Sequence, residues 1–199
     1  MQPSNIQQTH IDISHARLSS YQNFFQCHDP QEVYGIYCWN EAISGALFRL
    51  ISITEVVMRN RFHVALSQHF YSAMSVGSYE ANDWYNHVGL TNKSQVKVRG
   101  VTHKPPSRRG QQWTPKRPMP TSNDVVSQMT FGFWLKLLDA RAPWENLIPN
   151  VLPGHRHREA SHWKKLRNQD ALYARIDLVN RLRNRIAHFE PVWKQKALR

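Results

Sequence analysis

Apolar positions recur every three or four residues over most of the chain, and this rhythm predicts helices. Leu18, Tyr21 and Phe25 mark a first amphipathic helix from about Ser14 to Gln26. Asp29-Pro30-Gln31-Glu32 then reads as a helix start, with a capping aspartate, a proline at the first position and a glutamate three residues on. From there Val33, Ile36, Ile43, Leu47, Leu50, Ile53, Val57 and Phe62 keep the rhythm to about His69. A run of that length far exceeds the usual ~11–12 residues, and its few polar breaks predict the central element of a bundle. Val125, Met129, Phe133 and Leu137 predict a helix over 122–138, and Leu172, Ile176, Val179, Leu182 and Ile186 predict a last one over 169–188, ended by Pro191. Residues 1–13 are polar and predict a frayed tail, as do 194–199. Residues 71–90 read as a loop with a short helix around Trp84, residues 91–103 as another short helix, and prolines 143, 149 and 153 as breaks between short turns. No strand alternation of any length occurs. The expected fold is all-α, a helical bundle in one domain over 14–193.

One segment departs from the pattern. Between Lys104 and Pro120 lie five prolines with Arg108, Arg109, Trp113, Lys116 and Arg117. Prolines at that density exclude helix and central strand, and predict a long basic loop.

Charge sharpens this. The 199 residues carry a formal charge of +12, but residues 1–90 hold four basic and seven acidic side chains, a net of −3, and residues 91–199 hold 22 and seven, a net of +15. Eight basic residues fall between Lys93 and Arg117 without one acid. Such asymmetry predicts a face that attracts a polyanion by counterion release, with Lys93, Lys97, Arg99 and the basic loop as its contacts. No stretch of about 18 apolar residues could span a membrane, and no basic start with an apolar core marks a secretory signal, so a soluble cytoplasmic protein is expected. Cys27 and Cys38 form no C-x-x-C pair and read as packing thiols. His155, His157 and His162 have a ligand-like spacing, but the arginines among them would repel a cation. A basic contact loop is the simpler reading, and neither metal nor cofactor is expected.

The residues best suited to chemistry close the last helix: Leu182-Arg183-Asn184-Arg185-Ile186-Ala187-His188-Phe189-Glu190-Pro191. The bare Arg-to-His spacing is cheap, since 17 Arg and 11 His in one chain make a chance match expected. Here, however, it falls in a patch with Arg181 and Arg185, on a helix whose other face is apolar. Metal-free cutting of RNA needs a group that exchanges protons near neutral pH, a cation for the pentacoordinate phosphate, and the RNA's own 2′-hydroxyl. His188 suits the first role and Arg183 the second. A position in the last turn faces the negative end of the helix dipole, which favours a protonated imidazole. Asn184, four residues before His188, can orient the ring or the phosphate. Five residues of ideal helix leave Arg183 and His188 about 140° apart, so they converge only through arginine's long stem and a loosened last turn, or at a cleft shared by two subunits. Glu55 and Arg59, at i and i+4, read as an ordinary exposed ion pair or, if buried, as support for a site.

These segments resemble a known family. The last helix is similar to the LRNRxAHHEP signature of the Abi-like proteins of bacterial phage-abortive systems, a branch of the HEPN superfamily, with Phe189 in place of the second histidine. Leu18-Ser19-Ser20-Tyr21 before Trp39-Asn40 is similar to its N-terminal region, Glu55-Val56-Val57-Met58-Arg59-Asn60 to its ExxxRN helix, and Thr130-Phe131-Gly132-Phe133-Trp134-Leu135 to its TFGFW helix. The order is kept over about residues 14–193. The resemblance implies a HEPN-like helical bundle, a homodimer, and a metal-independent ribonuclease with Arg183 and His188 as catalytic residues and Asn184 as their polar companion. Glu55, Arg59 and Asn60 would then support the site. RNA is the expected partner, an antitoxin or regulatory protein a further one, and a membrane none. The alternatives are a non-catalytic RNA- or DNA-binding module on the same fold, and an interaction subunit controlled by an acidic partner.

Overall fold

The computed structural model describes residues 3–108 and 111–194, of which Lys194 is described by its backbone alone. The protein is all-α: it is 65% helical, with nine α-helices and one two-stranded ladder among the described residues. Two compact units form, one from Met1–Ile53 with Arg181–Arg199, the other from Thr54–Asn180.

The first unit holds α1 (Ile6–Ile13), α2 (His15–Phe25), the start of α3 (Pro30–Phe70) and the end of α9 (Leu166–Ala187). Residues 6–13 are helical, where a frayed tail was expected. The Asn5 side chain accepts from the Gln8 amide, and His10 Nε2 lies 2.9 Å from the Pro30 carbonyl oxygen, so both ends of the segment are tied down. At the start of α3, Asp29 accepts from the Glu32 amide at 2.9 Å, the cap expected from Asp29-Pro30. Leu18, Tyr21 and Val33 are buried against Ile13, Ile36, Tyr37 and Trp193. Among the described residues this unit leaves Phe24 of α2 and Trp39, Phe48 and Ile53 of α3 exposed.

The second unit adds α4 (Asn92–Thr102), β1 (His103–Lys104), β2 (Thr114–Pro115), α5 (Ser122–Ser127), α6 (Phe131–Leu137), α7 (Trp144–Val151) and α8 (Ala160–Trp163). Its core gathers Phe62 and Leu66 of α3, Trp84, Val98 of α4, Val125 of α5, Phe131 and Trp134 of α6, Ile148 of α7 and Trp163 of α8. Trp134 is its centre: Phe133, Phe62 and Trp84 lie 5.2, 6.1 and 6.3 Å from it, ring centre to ring centre.

Two expectations are corrected here, and the basic loop gains a detail. The segment 122–138 is two helices, because Thr130 turns extended (ψ 163°) before α6. The break buries both Val125-Val126 on α5 and residues on all sides of α6, which one straight helix could not do. Pro149 lies inside a helix instead of breaking the chain, since Trp144, Leu147, Ile148 and Val151 bury one continuous face of α7 around it. The proline-rich loop is pinned at its base by β1 and β2, paired antiparallel as His103 with Pro115 and Lys104 with Thr114, and the Lys116 amide donates to the Thr102 carbonyl at 2.9 Å. Proline is tolerated there because the ladder is only two strands wide, all edge.

A buried histidine gives this unit a pH dependence. His63 Nδ1 accepts the Trp84 indole N–H at 2.8 Å, and its Nε2 is 3.2 Å from Asn123 Oδ1. A proton on Nδ1 would face the indole N–H, and burial holds the His63 pKa below its ordinary value. The unfolded chain therefore binds more protons than the folded one as pH falls below about 6.5, and stability drops with it. His63→Gln is expected to flatten the fall in thermal midpoint measured between about pH 7.5 and 5.5. An equally steep fall in the variant would refute this.

Candidate functional site

The candidate site lies at the carboxyl end of α9. Helical bonding continues past Ala187, because the His188 amide donates to the Asn184 carbonyl at 3.0 Å. The last turn is thus not loosened. On a regular helix Asn184 and His188 share a face, while Arg183 points about 140° away from His188 around the axis. Asn184 and His188 are exposed and Arg183 is half-buried.

Directly after His188 the chain reverses. Phe189 has φ +54°, its amide donates to the Ile186 carbonyl at 3.0 Å, and the Glu190 amide donates to the Arg185 carbonyl at 2.8 Å. This double closure is a Schellman turn, with phenylalanine where glycine is usual. The left-handed conformation costs a non-glycine residue roughly 1–2 kcal/mol, so the turn must be held by its surroundings.

Three side chains hold it. Arg17 of α2 donates to the Phe189 carbonyl at 2.7 Å. Arg185 donates to the Pro191 carbonyl at 2.8 Å and lies 3.7 Å from the Glu190 carboxylate. Asn40 of α3, 0% exposed, accepts the Val192 amide at 3.1 Å. Beyond these, Trp193 packs against Tyr21 at 4.8 Å, Phe25 at 5.0 Å and Phe24 at 5.6 Å. The strap after the helix is thereby fastened to α2 and α3, and His188 sits at its root on a fixed backbone, facing solvent.

Of these holders only Arg185 was singled out from sequence, as a contact for RNA. Its guanidinium also serves the turn. Arg17 and Asn40 were missed as site residues: Arg17 lies 172 positions from its partner. For Asn40, the signal was its place in the Trp39-Asn40 segment.

The expected supporting residues lie on α3 in the second unit. Glu55 and Arg59 are half-buried, Asn60 is exposed, and Arg59 Nε donates to Asn60 Oδ1 at 3.4 Å. Of the expected polyanion contacts, Lys93, Lys97, Arg99, Arg108 and Arg117 are exposed, and Trp113 and Lys116 are half-buried. Lys93 and Lys97 share one face of α4. Arg109 lies outside the described residues. Arg181 is exposed and, with Arg183 and Arg185, belongs to the first unit.

Of the two cysteines, Cys27 takes the packing role expected, half-buried against the cluster of Leu18, Tyr21 and Val33. Cys38 is exposed on α3. Cys27 lies between α2 and α3, donates to Glu32 at 3.0 Å, and has its pKa raised chiefly by that hydrogen bond, which works against a nucleophilic thiolate. No group of three metal-ligating side chains with metal-binding geometry occurs among the described residues, and no described helix is long and apolar enough to cross a membrane.

An all-α protein with Arg, Asn and His at the end of a strapped helix is the class this architecture defines. The chain belongs to the Abi-like protein family, whose model matches residues 11–194. Membership implies a role in abortive infection, a form of phage defence. No curated protein and no solved structure matches.

Proposed function

We infer that the protein is a metal-independent RNA endonuclease of a phage-defence or toxin system. The observation that carries this reading is the fixed, solvent-facing His188 at the root of its strap, with Asn184 on the same face. The RNA's 2′-hydroxyl attacks the adjacent phosphorus, and the leaving 5′-oxygen departs to give a 2′,3′-cyclic phosphate. His188 moves the proton, Arg183 stabilises the charge on the pentacoordinate phosphate, and Asn184 orients the ring or the phosphate.

A regular last turn leaves Arg183 and His188 diverging, which favours a homodimer whose two copies of this segment face one cleft. The exposed Trp39, Phe48 and Ile53 of the first unit give a second copy apolar surface to cover. Lys93, Lys97, Arg99, Arg108 and Arg117 would hold the RNA backbone, with Arg109, Trp113, Lys116 and Arg181 as further contacts. Glu55, Arg59 and Asn60 are assigned a supporting role, and an antitoxin or regulatory partner would keep such an activity in check.

The test is cleavage of RNA by the purified protein at low salt in EDTA, with the product ends identified. Continued cleavage with 2′,3′-cyclic phosphate ends is expected. Loss of activity in chelator would overturn the metal-free mechanism. Salt-sensitive binding to RNA or DNA without cleavage would leave the alternative, a non-catalytic nucleic-acid-binding module on this fold.

A further inference from the structure

The second unit contains a cavity of about 550 Å³ lined by residues 154–157, α8 and the first turns of α9, and nothing in the proposed cleavage uses it. His155, Arg156, His157, His162, Asn168 and Arg175 contribute to its wall. The imidazoles of His157 and His162 lie face to face, 4.0 Å apart and 9° from parallel, with His155 5.8 Å from the first and 6.3 Å from the second.

The frame beneath is well made. The Trp163 indole donates to the His157 carbonyl at 3.0 Å, Asn168 donates to the His162 carbonyl at 2.8 Å, and Trp163 itself is buried. His155 Nδ1 lies 3.1 Å from the His157 amide nitrogen and 3.2 Å from the His157 carbonyl oxygen, which ties the ring to the backbone of its own loop.

The wall chemistry selects an anion. Two guanidiniums flank three imidazoles, a field that repels a metal cation, and rings stacked in parallel cannot turn their nitrogens toward one ion. The acidic group nearby is Glu159, 3.8 Å from His157 Nδ1. Lys165 adds positive charge from the end of α8. We propose that this cavity is a phosphate-binding site, in which Arg156, Arg175 and a protonated imidazole of the stacked pair hold the phosphate group of a nucleotide or of a nucleic-acid strand.

The stack sets the pH dependence. Two charged rings at 4.0 Å repel, and burial together with His157 and His155 holds the His162 pKa below its ordinary value, with Glu159 opposing and Lys165 reinforcing. A bound anion offsets that repulsion and lets the pair take up a proton, so affinity rises as pH falls.

Calorimetry on the intact protein tests this, with sulfate as a probe of constant charge. Sulfate is expected to bind about tenfold more tightly near pH 5.5 than near pH 8. Arg156→Ala/Arg175→Ala, both exposed positions, is expected to weaken it by at least about tenfold. Adenosine monophosphate and a short single-stranded RNA then separate the sources. Loss of affinity for the mononucleotide in the double variant marks a free nucleotide as ligand, and loss for the RNA alone marks a strand. No sulfate binding at either pH, or binding indifferent to pH and to the double variant, would overturn the proposal. Sulfate binding and RNA cleavage are read independently on the unaltered protein, so failure of the nuclease reading, on which this one does not rest, and failure of this one are separate results.

Discussion

Replacing His188 with alanine is expected to lower the rate of RNA cleavage by about 10²–10⁴-fold, the range that a positioned acid or base contributes. RNA affinity should stay close to that of the wild type, because the proposed backbone contacts of Lys93, Lys97 and Arg99 are untouched. The substitution is mild for the fold. His188 is exposed, its amide keeps the bond to Asn184, and the turn after it depends on Phe189, Arg17 and Asn40. Single-turnover cleavage with a titration of binding at the same salt makes the comparison. Toxicity on expression should vanish together with cleavage. A variant that cuts RNA at the wild-type rate would remove His188 from the mechanism. One that loses binding and cleavage equally would reassign it to holding the strand.

The largest expected loss of stability comes from Trp134→Ala. Trp134 is 0% exposed and packs against Phe62, Trp84 and Phe133, so truncation removes a large apolar surface and leaves a cavity among rigid rings. The cost is about 3–5 kcal/mol, enough to unfold a large fraction of a domain of ordinary stability. Trp134→Phe should cost much less. It keeps most of the ring volume, and it removes an indole N–H that meets no acceptor among the described residues. Denaturant unfolding of both variants checks the order. Equal losses would mean that the indole's outer ring contributes nothing to packing.

The Trp134 result bears on how the family segments are understood. Thr130-Phe131-Gly132-Phe133-Trp134-Leu135 is a core segment: Phe131, Phe133, Trp134 and Leu135 are all buried. In the Leu182–Pro191 segment, by contrast, Arg185 fastens the turn while Asn184 and His188 remain open to solvent.

What the sequence disclosed follows from how local each signal is. Asp29-Pro30 and a continuous apolar stripe made α3 legible almost to the residue, because a cap and a periodicity act within a few turns. The division between α5 and α6 was hidden, since it depends on two different faces finding the same core. α7 was hidden because prolines were read as breaks, and the burial of Trp144 and Ile148 outweighs the bond that Pro149 forgoes. At the site, the Arg-Asn-His constellation could be read from one segment. Its fastening could not, because Arg17 and Asn40 reach it from other helices and carry no spacing signal of their own. The cavity of stacked histidines was likewise visible only as a basic loop, since the wall from α9 is contributed at a distance in sequence.

The left-handed residue after His188 has an outcome for which side chains the position can accept. Asparagine and histidine enter that backbone region several-fold more readily than most residues, and glycine enters freely, whereas a β-branched side chain there is a true outlier. Valine or isoleucine at 189 would push the backbone back toward ordinary helical or extended angles. The reversal would then open, and the Pro191–Trp193 strap would be directed away from the sockets formed by Asn40 and the aromatic cluster. The side chain at 189 is thus limited by the bend that its backbone must make.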